Sequence, residues 1–274
     1  MRTPRLKLEE TAVYHCTSRI LEDRRLLDEA CRDHLRENIY KWADFCGVEI
    51  LAFCILDDHC HILARVEPGK KPSSKELDRR YRLINAHLPA KLEQWDRESG
   101  KATVQAGVES RMGDISGFLK EFKQAVTPWI NARLRRRGPL WFHRFGSILV
   151  EDRPEIVHTV AAYIDLNPVR AGLVKKPDLY PWCTSGHSKK SLLKHTASIN
   201  EHLPDTSSPL HDRIPAFTLG KILGSPRFVL EKGKALEERY RPGKRNYAVP
   251  VPDLNPRLFT TYANPRLNRK SFKR

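Results

Sequence analysis

Two apolar runs joined by a polar pair constrain this chain most. VEILAFCIL (Val48 to Leu56) and HCHILARV (His59 to Val66) flank Asp57-Asp58 and are rich in β-branched and aromatic residues. Such a pattern predicts a β-hairpin turning at the aspartates, closed by Glu67-Pro68-Gly69. A hairpin this apolar needs cover. TAVYHCTSR (Thr11 to Arg19) alternates as a third strand, with Val13, His15 and Thr17 on one face and Ala12, Tyr14 and Cys16 on the other. Between it and the hairpin, Leu27, Cys31, Leu35, Ile39, Trp42 and Phe45 recur at helical spacing, and Gly47 is placed to cap that helix.

Lys70 to Met112 is polar and irregular, which marks an insertion. Asp114 is positioned to cap the next helix, whose stripe runs through Ile115, Phe118, Leu119, Phe122, Val126 and Ile130. Pro128 is expected to kink or break it. Arg133 to Arg137 lead into the Gly138-Pro139 turn, LWFHRFGSILV (Leu140 to Val150) is expected as a strand, and Pro154 to Asp165 as a short helix. The order β-α-β-β-α-β describes an α+β, ferredoxin-like antiparallel sheet with helices on one face. The domain spans 11–185, with the insertion at about 70–112.

Charge separates the remainder. The chain holds 49 Lys and Arg against 33 Asp and Glu, a net +16, and the last 54 residues alone carry 14 basic against 4 acidic ones. Six prolines lie in that stretch, so 186–274 is expected to be a basic, Pro-rich extension with one short helix near Arg227 to Arg239. The surplus points to a polyanionic partner, nucleic acid first. No apolar run approaches the roughly 18 residues of a membrane span, and Met1 to Glu10 is charged, so a cytoplasmic, nucleoid-associated protein is expected. Cys16, Cys31, Cys46, Cys54, Cys60 and Cys183 show no CxxC spacing and are expected to be reduced core thiols.

His59-Cys60-His61 is the sharpest local signal. On a strand, residues i and i+2 share a face, so both imidazoles project together while Cys60 points the other way. Paired imidazoles can hold a divalent cation, with Asp57 and Asp58 in place to fix the ring tautomers.

VYHCTSR, FCILDDHCHILARV, RRRGPLWFHRFGSILVE, AAYIDLNPVRAGLV and DLYPWCTS, in that order, resemble the HUH-class single-strand transposases, the insertion-sequence-200-type enzymes and REP-associated tyrosine transposases. The resemblance covers roughly Ala12 to Ser185. It implies a ferredoxin-like fold, binding of single-stranded or hairpin DNA, and metal-assisted nicking and rejoining of phosphodiesters in DNA transposition. It further implies a divalent ion, Mg or Mn, at His59 and His61, with Gln124 or Asn131 as third ligand, and it leaves room for a homodimer.

The resemblance also implies a tyrosine nucleophile on the helix after the HUH strand, here Asp114 to Leu134. That helix has none, and no tyrosine occurs from Arg82 to Ala162. Tyr81, in the insertion, and Tyr163, in AAYIDLNP and read as a structural residue, are the weak substitutes. Turnover is therefore an open question, and a degenerate or domesticated DNA-binding module is the alternative. Expected DNA contacts are Lys123, Arg133, Arg135, Arg136, Arg137, Arg144 and Arg170, with Trp141 and Phe142 as stacking platforms. An RNA-binding sheet is a third class, but these strands lack its aromatic signature.

Overall fold

The computed structural model describes residues 6–21, 26–187, 216–240, 249–251 and 258–262. β1 (Ala12–Arg19) leads to α1 (Glu29–Cys46), then to the hairpin of β2 (Val48–Ile55) and β3 (His59–Val66). The turn closes through Leu56 N–H donating to His59 O at 2.8 Å, with the two aspartates at its tip. Asp28 caps α1 by accepting from Cys31 N–H, and Gly47 ends it at φ 65°, a left-handed conformation that glycine adopts without strain. Helices α2 (Ser74–Asn85), α3 (Pro89–Glu98) and α4 (Ala102–Glu109) form the insertion.

α5 (Ile115–Arg133) runs unbroken through Pro128. One lost backbone bond is tolerable in a helix whose Phe118, Phe122, Val126 and Ile130 are buried. The expected strand from Leu140 is much shorter: only Gly146–Val150 (β4) pairs. Residues 140–145 run instead past the end of β1, tied by Leu21 N–H to Leu140 O and Phe142 N–H to Arg19 O. α6 (Pro154–Asp165) and α7 (Asn167–Arg170) follow nearly end to end.

The sheet order β2-β3-β1-β4, antiparallel throughout, is the ferredoxin-like arrangement. α1 and α5 cover one face, against Tyr14, Cys16, Phe53, Cys60 and Ile62. The other face is covered as well. Val13, Cys54, Leu63 and Ile148 pack there against Val160, Tyr163 and Ile164 of α6 and against Phe217. All six cysteines are buried and free.

Part of the segment expected as an extended arm completes the sheet. α8 (Thr184–His187) precedes α9 (Ala216–Leu219), β5 (Gly220–Gly224), α10 (Pro226–Tyr240), β6 (Val249–Pro250) and β7 (Phe259–Tyr262). β5 joins β4 in parallel and pairs β7 antiparallel, giving the seven-stranded order β2-β3-β1-β4-β5-β7-β6. α10 is the short helix expected near Arg227. The basic residues of 241–248 and 263–274 lie outside the described residues.

The exposed edge of β2 is closed by Asp178 to Ser185. Ile55 N–H donates to Trp182 O at 2.8 Å, Tyr180 Oη–H to Ile55 O at 2.9 Å, and Thr184 Oγ1 both accepts from Phe53 N–H and donates to Phe53 O. Asp165, fully buried on α6, accepts from Thr184 N–H at 3.0 Å and from the Ser185 hydroxyl. This clip protects the edge and holds the hairpin that carries the histidines.

Candidate active site

His59 and His61 share one face of β3, opposite Cys60 and Ile62. Their ring centroids lie 5.0 Å apart at 78°. His59 Nδ1 is paired with Asp58 Oδ1. His61, only 3% exposed, has its Nδ1 2.9 Å from His15 Nε2 and 3.2 Å from Thr17 Oγ1. Both Nδ1 atoms are thus engaged by the protein, so that Nε2 of each ring is the atom that could ligate a cation. Burial, reinforced by the charges of His15, His59, Arg170 and Arg19, holds the His61 pKa well below the usual imidazole range. Burial also lowers His15 to about 4. Neutral imidazole is the form that binds a metal. At Asp58 burial works upward, but the bond and charge of His59, with Arg19, prevail and keep the carboxylate ionised.

The two histidines line a cleft of about 520 Å³ at the strand ends. Among its described lining residues are Arg19, Arg144 and Arg170, with no aspartate or glutamate. A cleft walled by three guanidiniums and no carboxylate is suited to a polyanion. Tyr163 lines the same cleft, with Asn167 and Arg170. Spaced i, i+4 and i+7 across α6 and α7, these three share a helical face. The Arg170 guanidinium sits 4.0 Å over the Tyr163 ring and donates to the Tyr163 carbonyl at 2.5 Å. Asn167 donates to Ile164 O at 2.9 Å, which ties α7 to the end of α6. Phe217, from the C-terminal segment, closes on Tyr163 at 4.4 Å between ring centroids, and Thr218 and Leu219 form the adjoining wall.

Several expected site residues lie elsewhere. Gln124 and Asn131 belong to α5, which covers the opposite face of the sheet; Gln124 is exposed and Asn131 donates to Gly138 O. The third-ligand assignment is therefore corrected. Among the described residues no group of three or more His, Cys, Asp or Glu could hold a metal. The protein's share of such a site is the imidazole pair, which suits a borderline cation such as Mn better than an all-oxygen Mg site. Tyr81 stacks on Trp95 within the insertion, at 4.1 Å and 14°, and does not line the cleft.

Of the expected DNA contacts, Arg144 and Arg170 line the cleft. Arg133 is paired with Asp28 at 2.8 Å, bracing α5 to the cap of α1. Lys123 Nζ lies 4.7 Å over the Trp141 ring and donates to His143 O, while the Trp141 indole donates to Thr127 Oγ1. Trp141 is thus packed as core rather than offered as a platform. Arg135 and Arg137 are exposed on the turn after α5, with Arg135 at φ 49° and Arg136 donating to Pro139 O. Phe142 is 45% exposed at the cleft mouth, its ring 4.1 Å from that of His143. His15 and Arg19 went unnoticed as site residues. His15 becomes visible only through the register that sets Thr17 opposite His61.

The fold and site therefore define a ferredoxin-like domain with paired strand histidines and a helix-borne tyrosine at one basic cleft. Residues 9–94 match the family model described as Transposase IS200 like. That stretch includes both histidines and stops before Tyr163. No curated protein matches the sequence. Among solved structures, the chain is similar to one described as a REP-associated tyrosine transposase bound to a REP hairpin, with 18% identity and a TM-score of 0.49. The similarity covers 78% of this chain and 99% of that one.

Proposed function

We propose that this chain is a transposase-type single-strand DNA transesterase acting on hairpin-forming DNA, with Tyr163 as the nucleophile. The observation that carries the reading is the shared cleft: Tyr163, His59 and His61 reach one cavity from two different elements. In the reaction, the Tyr163 phenol oxygen bonds to phosphorus as the P–O3′ bond breaks. The phenolic proton is lost and the departing 3′-oxygen gains one, leaving a 5′-phosphotyrosine and a free 3′-OH. One phosphodiester replaces another, so the step is reversible and the same site rejoins strands.

A divalent ion at His59 and His61 would supply positive charge to the scissile phosphate. Arg170 holds the Tyr163 ring and offsets charge developing on its oxygen. Arg19 and Arg144 fix the phosphate backbone, and Arg135 and Arg137 extend that track along the turn after α5. Phe142 offers its ring to an unpaired base beside the cleft. The catalytic unit is 11–185, with α9 of the following segment supplying one wall.

A hairpin substrate with a nick placed to prevent rejoining should trap wild-type protein on DNA. Tyr163→Phe should abolish the adduct while keeping hairpin affinity, and Tyr81→Phe should leave it intact. An adduct that survives in Tyr163→Phe removes this nucleophile. Wild type that binds the hairpin but never forms an adduct would instead establish the alternative of a DNA-binding module without strand transfer.

A further inference from the structure

We infer that His15 is a positioning residue: its Nε2 accepts a hydrogen bond from His61 Nδ1–H and so fixes His61 in the tautomer whose Nε2 lone pair faces the cleft. The inference rests on the reading of His61 as half of the imidazole pair. His15 is 1% exposed on β1, and its Nε2 lies 2.9 Å from His61 Nδ1 with the rings stacked at 5.1 Å. One proton lies between these two nitrogens, and its owner decides what His61 can do. If it belonged to His15, a neutral His61 would carry its own proton on Nε2 and have no lone pair for a ligand.

The role of His61 decides the question. With Nε2 turned to the cleft as the ligating atom, the proton of a neutral His61 belongs on Nδ1, and the one ring nitrogen within 2.9 Å of it is His15 Nε2. His15 is then the acceptor at Nε2 and carries its own proton on Nδ1, a buried atom with no hydrogen-bond partner. Thr17 Oγ1, 3.2 Å from His61 Nδ1, can donate or accept and so does not choose between tautomers.

Nitrogen-15 correlation spectra of the full-length, metal-free protein test this without DNA or turnover. They should show a protonated Nδ1 and bare Nε2 on both His15 and His61; a protonated Nε2 on His61 overturns the inference whether or not any variant folds. Titration with Mn²⁺, followed by electron paramagnetic resonance, supplies the second readout. His15→Phe should mix the His61 tautomers and weaken Mn²⁺ binding by about 10-fold or more, the usual cost of losing a partner behind a metal-ligating histidine. His15→Gln, whose amide oxygen can accept the same bond, should restore both, and Thr17→Val should leave both near wild type. If His15→Phe changes neither readout, or His15→Gln fails as badly as His15→Phe, His15 only fills space. If Thr17→Val alone reproduces the loss, Thr17 holds the role. A wild type with the expected tautomers but no covalent adduct refutes the nucleophile and leaves this inference standing.

Discussion

Replacing Arg170 by Met probes the cleft with little change in volume. The guanidinium is half of a close pair with Tyr163, 4.0 Å over its ring, and burial lowers the pKa of the arginine. In the proposed reaction, negative charge grows on the phenol oxygen, at the edge of the same ring, as it attacks. For a charge separation of about 5 Å and an effective dielectric constant of about 20, Coulomb's law gives roughly 3 kcal/mol. A stabilisation of that size, present only as charge develops, corresponds to about 100-fold in rate. Arg170→Met should therefore slow single-turnover adduct formation about 100-fold at saturating hairpin, with hairpin affinity falling far less. Arg170→Lys should recover part of the rate, because it restores the charge without the planar stack. The carbonyl bond from Arg170 to Tyr163 also braces α6, so thermal unfolding must be measured in parallel. If the fold is retained and the rate stays within about twofold of wild type, the electrostatic argument fails.

Replacing Arg135, Arg136 and Arg137 together by Ala should lower hairpin affinity and reduce the slope of log affinity against log salt by about 2, one unit for each exposed guanidinium on a phosphate. An unchanged slope would return them to a solvated helix end. Phe142→Ala should weaken binding of a hairpin with a single-stranded flank by about 1–3 kcal/mol and leave a flankless hairpin unaffected; equal losses on both would remove it as a base platform. Burial raises the Asp165 pKa from 3.8 to about 6, against the opposing bonds of Ser185 and Thr184. Because the folded value is the higher one, its contribution to stability is fully present below about pH 3.8 and is lost as pH rises through about 6, a fall of up to about 3 kcal/mol. Asp165→Asn, compared with wild type by urea unfolding from pH 4 to 7.5, should remove that fall; an identical pH dependence in both proteins would refute it.

What the sequence discloses about this fold follows from the range of the interactions involved. The hairpin is legible because alternation and a polar turn are local, and the four-strand order follows once two helices are spaced between strands. Leu140 to Val150 overshoots because LWFHRF is rich in β-formers without alternating; with Phe142, His143 and Arg144 exposed, only Gly146–Val150 finds a partner. The C-terminal strands were hidden by composition. Six prolines and a surplus of lysine and arginine describe the stretch on average, whereas Ile222 and Leu223, buried in a five-residue strand, decide where it docks. Gln124 and Asn131 enter as third-ligand candidates only through the resemblance, and local pattern, which cannot say which sheet face a helix will cover, has no means of testing them.

Tyr163 was legible in part. Its spacing with Asn167 and Arg170 puts three polar-tipped side chains on one helical face, but the resemblance places the nucleophile on the helix after the HUH strand, and the tyrosine is therefore read as structural. It is indeed core, at 2% exposure, and it also lines the cleft. These two facts have one physical origin. As the proposed nucleophile, Tyr163 must be held within a few tenths of an ångström of its productive position, and its packing between Phe217 and Arg170 would supply that restraint. The same holds for His61, buried beside His15, while His59 at the turn remains partly open. Burial at this cleft is therefore the means of positioning, and the sequence signature of such a site is a polar residue inside an apolar pattern rather than an exposed one.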